Sequence, residues 1–282
     1  MKVRFFDSVE RFLDRVEASL LEDEAKNALI LGVVFRLRDG HSYGDMPPLL
    51  GCVEDVRGIA AVIVRTPPYH LLLCECLEEP GVLEQIAHRL AERSADLPGV
   101  HARRSTALRF AELWSGGTAC RYELVMEQRL YRLTEVSPPS GVSGRLRLAG
   151  RADRDRLIAW TKSFVDEADA DQACADPAQL VERLTEMRAL AVWDDGGPVS
   201  MAAWNRPTQN GVSINLVYTP PEKRRRGYAA ACVAALSQQR LNAGKLFCTL
   251  FADVANQTSN ALYRRIGFRS IAEFSDVRFS AE

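Results

Sequence analysis

One order of elements occurs twice in this chain, and it restricts the possible folds more than any other feature. In the first half, the β-rich run Gly58–Val64 passes through a turn at Thr66-Pro67-Pro68 into Tyr69–Cys76, and helical spacing follows over 82–95. In the second half, Gly197–Trp204 passes through a turn into Val212–Tyr218, and helical spacing follows over 228–243. Further along, Ser105-Thr106-Ala107-Leu108 echoes Thr258-Ser259-Asn260-Ala261-Leu262. A hairpin followed by a helix is common by itself. A whole order repeated on either side of a break points to duplication. The break is Ser137-Pro138-Pro139-Ser140-Gly141-Val142-Ser143-Gly144, small and turn-forming throughout. The expected layout is a domain over 1–136, a linker over 137–144 and a second domain over 145–282. Strands mixed with helices in each half predict an α/β fold, each half a twisted mixed sheet flanked by helices.

The remaining pattern fits this layout. Ser8 is placed to cap a helix carrying Val9, Phe12, Leu13, Val16 and Leu20 at helical spacing. Residues 104–114 read as a helix, and Arg121–Gln128 and Leu130–Val136 as two strands. Beyond the linker come a strand at Arg145–Leu148, a helix from Asp153 with Leu157, Trp160, Thr161 and Phe164 on one face, and a helix over 178–187. Leu190–Asp194 and Pro198–Trp204 form a hairpin about Gly196-Gly197.

Composition removes several classes. Among 282 residues, 47% are hydrophobic, enough for a core and too many for a disordered chain. A net charge of −1 argues against nucleic acid or an anionic membrane as the main partner. The longest apolar runs, Leu29–Phe35 and Ala229–Leu236, fall well short of the roughly 18 residues of a membrane span. The first residues lack the apolar core of a signal peptide, so a cytoplasmic location is expected. Seven cysteines in scattered positions do not form a disulfide framework. His70, Cys74 and Cys76 share a strand face, but the outer two would lie roughly 20 Å apart, so no metal site is expected.

The chemistry concentrates in Val217-Tyr218-Thr219-Pro220-Pro221-Glu222-Lys223-Arg224-Arg225-Arg226-Gly227-Tyr228-Ala229-Ala230. A strand ends, a basic loop follows, and Gly227 opens a helix. The first turn of a helix leaves N–H groups unpaired, and the helix dipole favours negative charge there. Gly227 and Ala229 lack bulk, so a pyrophosphate can approach the main chain. Arg224, Arg225 and Arg226 can fork onto its oxygens. A solvated basic turn, or a nucleic-acid patch at Lys223–Arg226, is the simpler reading of the arginines alone.

A second group follows a buried run, Leu246–Phe251: Asn256, Ser259, Asn260, Leu262, Tyr263, Ile266, Gly267 and Phe268. Asn256 and Tyr263 stand two helical turns apart and share a side. With both groups in place, residues 212–279 resemble the core of the GNAT superfamily of acyl-CoA-dependent N-acyltransferases. Arg224-Arg225-Arg226-Gly227-Tyr228-Ala229 is similar to that family's acyl-CoA loop, Gln/Arg-x-x-Gly-x-Gly/Ala. Asn256-x-x-Ser259-x-x-Leu262-Tyr263-x-x-Ile266-Gly267-Phe268 is similar to its second motif.

The resemblance implies acetyl-CoA as acyl donor, no metal, and a primary amine on a small molecule or peptide as acceptor, in a monomer or homodimer. It implies that Leu216, Val217, Tyr218 and Thr219 meet the pantetheine arm, that Arg224, Arg225, Arg226, Gly227, Tyr228, Ala229 and Ala230 hold the pyrophosphate, and that Asn256, Ser259 and Asn260 lie along the cofactor. Tyr263 would protonate the departing thiolate. A strand N–H would meet the oxyanion.

Two departures stand out. The strand Val212–Val217 has no carboxylate to act as general base, which leaves Asp253, Asp166, Glu167 or solvent. The first half resembles a degenerate copy, with Glu78-Glu79-Pro80-Gly81-Val82 where the basic loop should be and Arg109 or Phe110 where Tyr263 should be. Two carboxylates and a proline repel a pyrophosphate and remove a donor. The alternatives to catalysis are an acyl-CoA-binding regulatory module and a nucleic-acid-binding protein.

Overall fold

The computed structural model describes residues 1–75, 80–167 and 176–281. Contacts divide the chain into two compact units: Met1–Leu130 with Ala252–Asn256 and Ser270–Glu282, and Tyr131–Phe251 with Gln257–Arg269.

The first unit opens with β1 (Lys2–Phe6), α1 (Val9–Leu21), α2 (Ala28–Arg38), β2 (Leu49–Asp55), β3 (Gly58–Arg65) and β4 (Leu71–Glu75). It continues with α3 (Val82–Glu92), β5 (Gly99–Arg103), α4 (Arg104–Gly117) and β6 (Cys120–Leu133), of which only the last three residues group with the second unit. Ser8 caps α1, its hydroxyl accepting from the Arg11 N–H at 3.3 Å. Two elements here escape the sequence pattern. The run Leu29–Phe35 lies within α2, where Ile30 to Phe35 are all buried, so no polar face betrays the helical period. The expected strands 121–128 and 130–136 are one continuous strand, β6, because no turn-forming residue stands between them.

The second unit holds β7 (Arg145–Leu148), α5 (Arg154–Glu167), α6 (Pro177–Glu186), β8 (Leu190–Asp194), β9 (Pro198–Asn205) and β10 (Gly211–Tyr218). It then has α7 (Tyr228–Asn242), most of β11 (Phe247–Asp253) and α8 (Gln257–Arg265). The last strand, β12 (Arg269–Ala281), belongs almost wholly to the first unit. There it runs antiparallel to β5, pairing Phe274 with Arg103 and Arg278 with Gly99. Val277 and Phe279 enter the first unit's core beside Phe110 and Trp114.

Taken separately, the two units share one topology. In the first, β3 and β4 are antiparallel, α3 crosses over, β5 returns parallel to β4, and α4 follows. In the second, β9 and β10 are antiparallel, α7 crosses over, β11 returns parallel to β10, and α8 follows. A parallel pair requires such a crossover, and a helix supplies it in both. The repeated order in the sequence is therefore a repeated arrangement in space. One face of the second sheet packs Met201, Ala203, Leu216 and Tyr218 against Leu157 of α5 and Val181 and Leu184 of α6. Among the described residues no helix is long and apolar enough to cross a membrane.

Candidate functional site

The site begins with a fault in β10. Its register with β9 runs Asn215 to Ala203 and then Tyr218 to Met201, three steps against two, which is a bulge. Leu216 absorbs the extra residue at φ 51°. Its parallel register with β11 covers three pairs and ends at Ser213 with Thr249. Beyond that point, among the described residues, 214–218 have no β11 partner, so their main-chain groups on that edge are not paired in the sheet. Leucine at positive φ has no local sequence signal, so the bulge was not legible beforehand.

Below the splay the chain turns through Pro221–Lys223 and reaches the head of α7. Arg225 has φ 61° and Gly227 φ 82°, and no side chain caps the helix. The N–H groups of Tyr228, Ala229 and Ala230 therefore lack helical partners. Gly227 is also a steric requirement, since a Cβ there would meet Val142 Cγ2 at 2.8 Å. Arg224, Arg225 and Arg226 are exposed.

Arg224 is already engaged. One terminal nitrogen donates to both carboxylate oxygens of Glu167 at 2.7 Å, and its Nε donates to the Thr219 carbonyl at 2.9 Å. Its guanidinium lies 5.7 Å from the Tyr218 ring centroid. The hydrogen bond it donates to Glu167 raises the Arg224 pKa further. Tyr228 is buried and its hydroxyl donates to Asp195 Oδ2 at 2.6 Å, an oxygen that also accepts from Ser143 at 2.8 Å. These two bonds hold the Asp195 carboxyl below its ordinary range. Thr219 donates to Ser200, which donates to the Tyr218 carbonyl, fixing the strand end.

In α8 the expected residues take different places. Tyr263 is buried, its ring 6.2 Å from that of Tyr131 and 6.0 Å from that of Phe268. Desolvation pushes its pKa up to about 12. Asn260 is buried and accepts from the Tyr131 hydroxyl at 2.7 Å. It anchors α8 to β6 rather than presenting itself to solvent, and Tyr131 was not singled out by sequence. Ser259 is half-buried and Asn256 exposed. Of the candidate bases, Asp253 accepts from the Ala255 N–H at 2.8 Å, Glu167 holds Arg224, and Asp166 is exposed.

In the first unit, Gly81 heads α3 at φ 84°, as Gly227 heads α7. Glu78, Glu79 and Cys76 lie outside the described residues. His70 stands 2.6 Å from Asp276, and the Cys74 thiol donates to Asn27 at 3.0 Å. Burial pushes the Cys232 thiol up to about 12 and Cys248 to about 11, so neither is a ready nucleophile.

Residues 193–277 match the family model described as FR47-like protein. No curated protein sequence matches the chain. Among solved structures it is similar to a tandem GNAT protein from the clavulanic acid biosynthesis pathway, at 11% identity, TM-score 0.59, covering 99% of this chain and 98% of that one. A GCN5-related N-acetyltransferase from Sphaerobacter thermophilus matches at 15% identity, TM-score 0.57, covering 99% and 95%. A GNAT-family acetyltransferase from Colwellia psychrerythraea matches at 11% identity, TM-score 0.56, with both chains fully covered. The chain therefore has the GNAT fold in tandem, and its FR47-like stretch runs through the bulged strand, the head of α7 and Tyr263.

Proposed function

We propose that the protein transfers an acyl group, acetyl in the first instance, from acyl-coenzyme A to a primary amine. The observation that carries this reading is the junction of the β10–β11 splay with the uncapped head of α7. Unpaired strand groups at 214–218 suit the amide-bearing pantetheine arm. Free N–H groups at Tyr228–Ala230, with Arg225 and Arg226 beside them, suit the pyrophosphate. The solved neighbours named as GNAT acetyltransferases support the same reaction class.

In this reading Tyr263 keeps its proton through neutral pH and can deliver it to the departing thiolate. Asn260 and Tyr131 position α8, and Asn256 and Ser259 face the cofactor arm. The amine arrives deprotonated or loses its proton to solvent, because β10 has no carboxylate at 211–218. The first half, 1–136, carries Glu78-Glu79-Pro80-Gly81-Val82 in place of a basic loop and is not expected to bind coenzyme. The test is thiol release from acetyl-CoA over a panel of primary amines. Release that depends on both acetyl-CoA and amine supports transfer. Saturable coenzyme A binding without release under any amine favours the regulatory module, and oligonucleotide retention that weakens steeply with salt favours the nucleic-acid reading.

A further inference from the structure

Among the described residues, two buried amide oxygens in the second unit have no hydrogen-bond partner: Asn205 Oδ1 on β9 and Asn215 Oδ1 on β10. They share one sheet face. Asn205 pairs with Ser213, and Asn215 is two residues beyond Ser213, opposite Ala203. Cross-strand diagonal positions of this kind are within about 7–8 Å. The face is the one covered by α5 and α6, since Ala203 and Met201 pack there with Leu157, Val181 and Leu184.

The neighbours on this face are already satisfied. Ser213 and Thr249 share a hydrogen bond at 3.2 Å, at the last rung of the β10–β11 ladder. On the other side, the Tyr218 ring lies tilted against that of Trp160 of α5, their centroids 6.2 Å apart. Asn215 thus sits between the hydroxyl pair and the aromatic pair, one residue before the bulge, where the splay opens. Buried acceptors are nearly always satisfied, so two of them on one face at the mouth of a site indicate a donor supplied from outside.

We propose, resting on the acyltransferase reading, that Asn205 and Asn215 receive the N–H donors of the acceptor amine. The chemistry favours an amine over an alcohol, because an amine offers two donors and an alcohol one. It also suits an uncharged nucleophile. An amide oxygen accepts an N–H without the full negative charge by which a carboxylate would hold the ammonium form. The amine is thereby oriented through its hydrogens while its lone pair stays free for the acyl carbon. The Tyr218–Trp160 pair makes an apolar or aromatic body beside that nitrogen the matching substrate.

The test uses the full-length chain and binding rather than turnover, so that it stands apart from the transfer reaction. Phenethylamine, with phenethyl alcohol as control, is titrated by ligand-observed NMR against the wild type, Asn215→Leu, Asn205→Leu and Asn215→Asp. Coenzyme A is titrated in parallel. The expected result is amine binding at least tenfold weaker in each leucine variant and retained or tighter in Asn215→Asp, with the alcohol bound more weakly than the amine throughout. Asn215→Leu is expected to melt no lower than the wild type, since it removes an unsatisfied buried acceptor; a purely structural asparagine would show a loss. No amine binding to the wild type, or equal binding by wild type and leucine variants, overturns the proposal. Failure of coenzyme A to bind, with amine binding as described, overturns the acyltransferase reading and leaves the amine site standing.

Discussion

Gly81 and Gly227 hold the same backbone conformation, φ 84° and ψ −2° against φ 82° and ψ −2°, each at the head of the helix that follows an inner strand. The two positions differ in their surroundings. A Cβ at Gly227 meets Val142 at 2.8 Å, whereas one at Gly81 comes no closer than 3.5 Å, to the end of Met1. Gly227 is therefore pinned twice, by conformation and by contact. Gly81→Ala is expected to cost about 1 kcal/mol for the left-handed backbone. Gly227→Ala adds the clash and is expected to cost about 2–3 kcal/mol. Urea denaturation of the two variants measures the difference, and equal losses would show that Val142 yields freely.

On the proposed coenzyme reading, the Arg224–Glu167 pair sets an electrostatic condition on ligand entry. Both side chains are close to half-exposed, so the pair contributes at most about 1 kcal/mol to stability. Its effect on an incoming phosphate is larger, because the carboxylate occupies the arginine that would meet it. Glu167→Gln is expected to leave the melting temperature almost unchanged and to tighten coenzyme A binding several-fold at low salt, with the gain shrinking as salt rises. Arg224→Ala is expected to weaken the same binding. Calorimetric titration at two ionic strengths checks both, and weaker binding by Glu167→Gln would reverse the assignment.

Tyr263 gives a prediction in pH. Burial raises its pKa to about 12 from an ordinary value of about 10. A proton donor with that pKa remains loaded across the working range, so thiol release should rise as the amine deprotonates and then stay level to pH 10. Tyr263→Phe is expected to lower that plateau by about a hundredfold. Stability has the same sign. The raised pKa means the folded state keeps its proton where the unfolded tyrosine loses it. The contribution is complete below pH 10 and is lost as pH rises through about 12, a change of about 2–3 kcal/mol. Denaturation midpoints at pH 8 and pH 11 should separate more in the wild type than in Tyr263→Phe.

Truncation tests the division of the chain. Because β12 pairs with β5 and supplies Val277 and Phe279 to the first unit's core, residues 1–136 alone are expected to lack cooperative unfolding. Adding 270–282 through a flexible linker is expected to restore it. Circular dichroism melts of the two fragments decide this, and a sharp transition in the shorter one would mean that β12 is dispensable.

The hydrogen bond from Tyr131 to Asn260 carries a stability prediction. Tyr131→Phe is expected to cost about 1–2 kcal/mol, since it removes the donor from a buried acceptor at 2.7 Å. Asn260→Leu combined with Tyr131→Phe should cost less than the sum of the single changes. A double-mutant cycle in urea measures the coupling, and strict additivity would show that the pair is not energetically linked.

Several parts of this architecture were legible in the sequence because their causes are local. The Arg224–Ala230 segment announces a helix start after a basic loop, since capping and dipole depend only on adjacent residues. The order strand, strand, helix, strand, helix appears in both halves, because hydrophobic period and turn residues are also local signals. Where the period is silent, as in the buried α2, the sequence shows only an apolar run.

Other features were decided only when distant residues met. Nothing near Leu216 marks it for positive φ; pairing with β9 on one edge and release from β11 on the other imposes the bulge. Arg224 reads as free charge until α5 brings Glu167 to it across 57 positions. Asn260, expected along the cofactor, gains a second role when β6 brings the Tyr131 hydroxyl to it across 129 positions. The allocation of β12 to the first unit is likewise a matter of which strand edge remained open at β5. Short-range geometry thus specified the elements and the exposed basic turn at the head of α7, while long-range pairing, whose partners leave no trace in the neighbouring residues, decided which of the charged and polar groups are engaged within the fold.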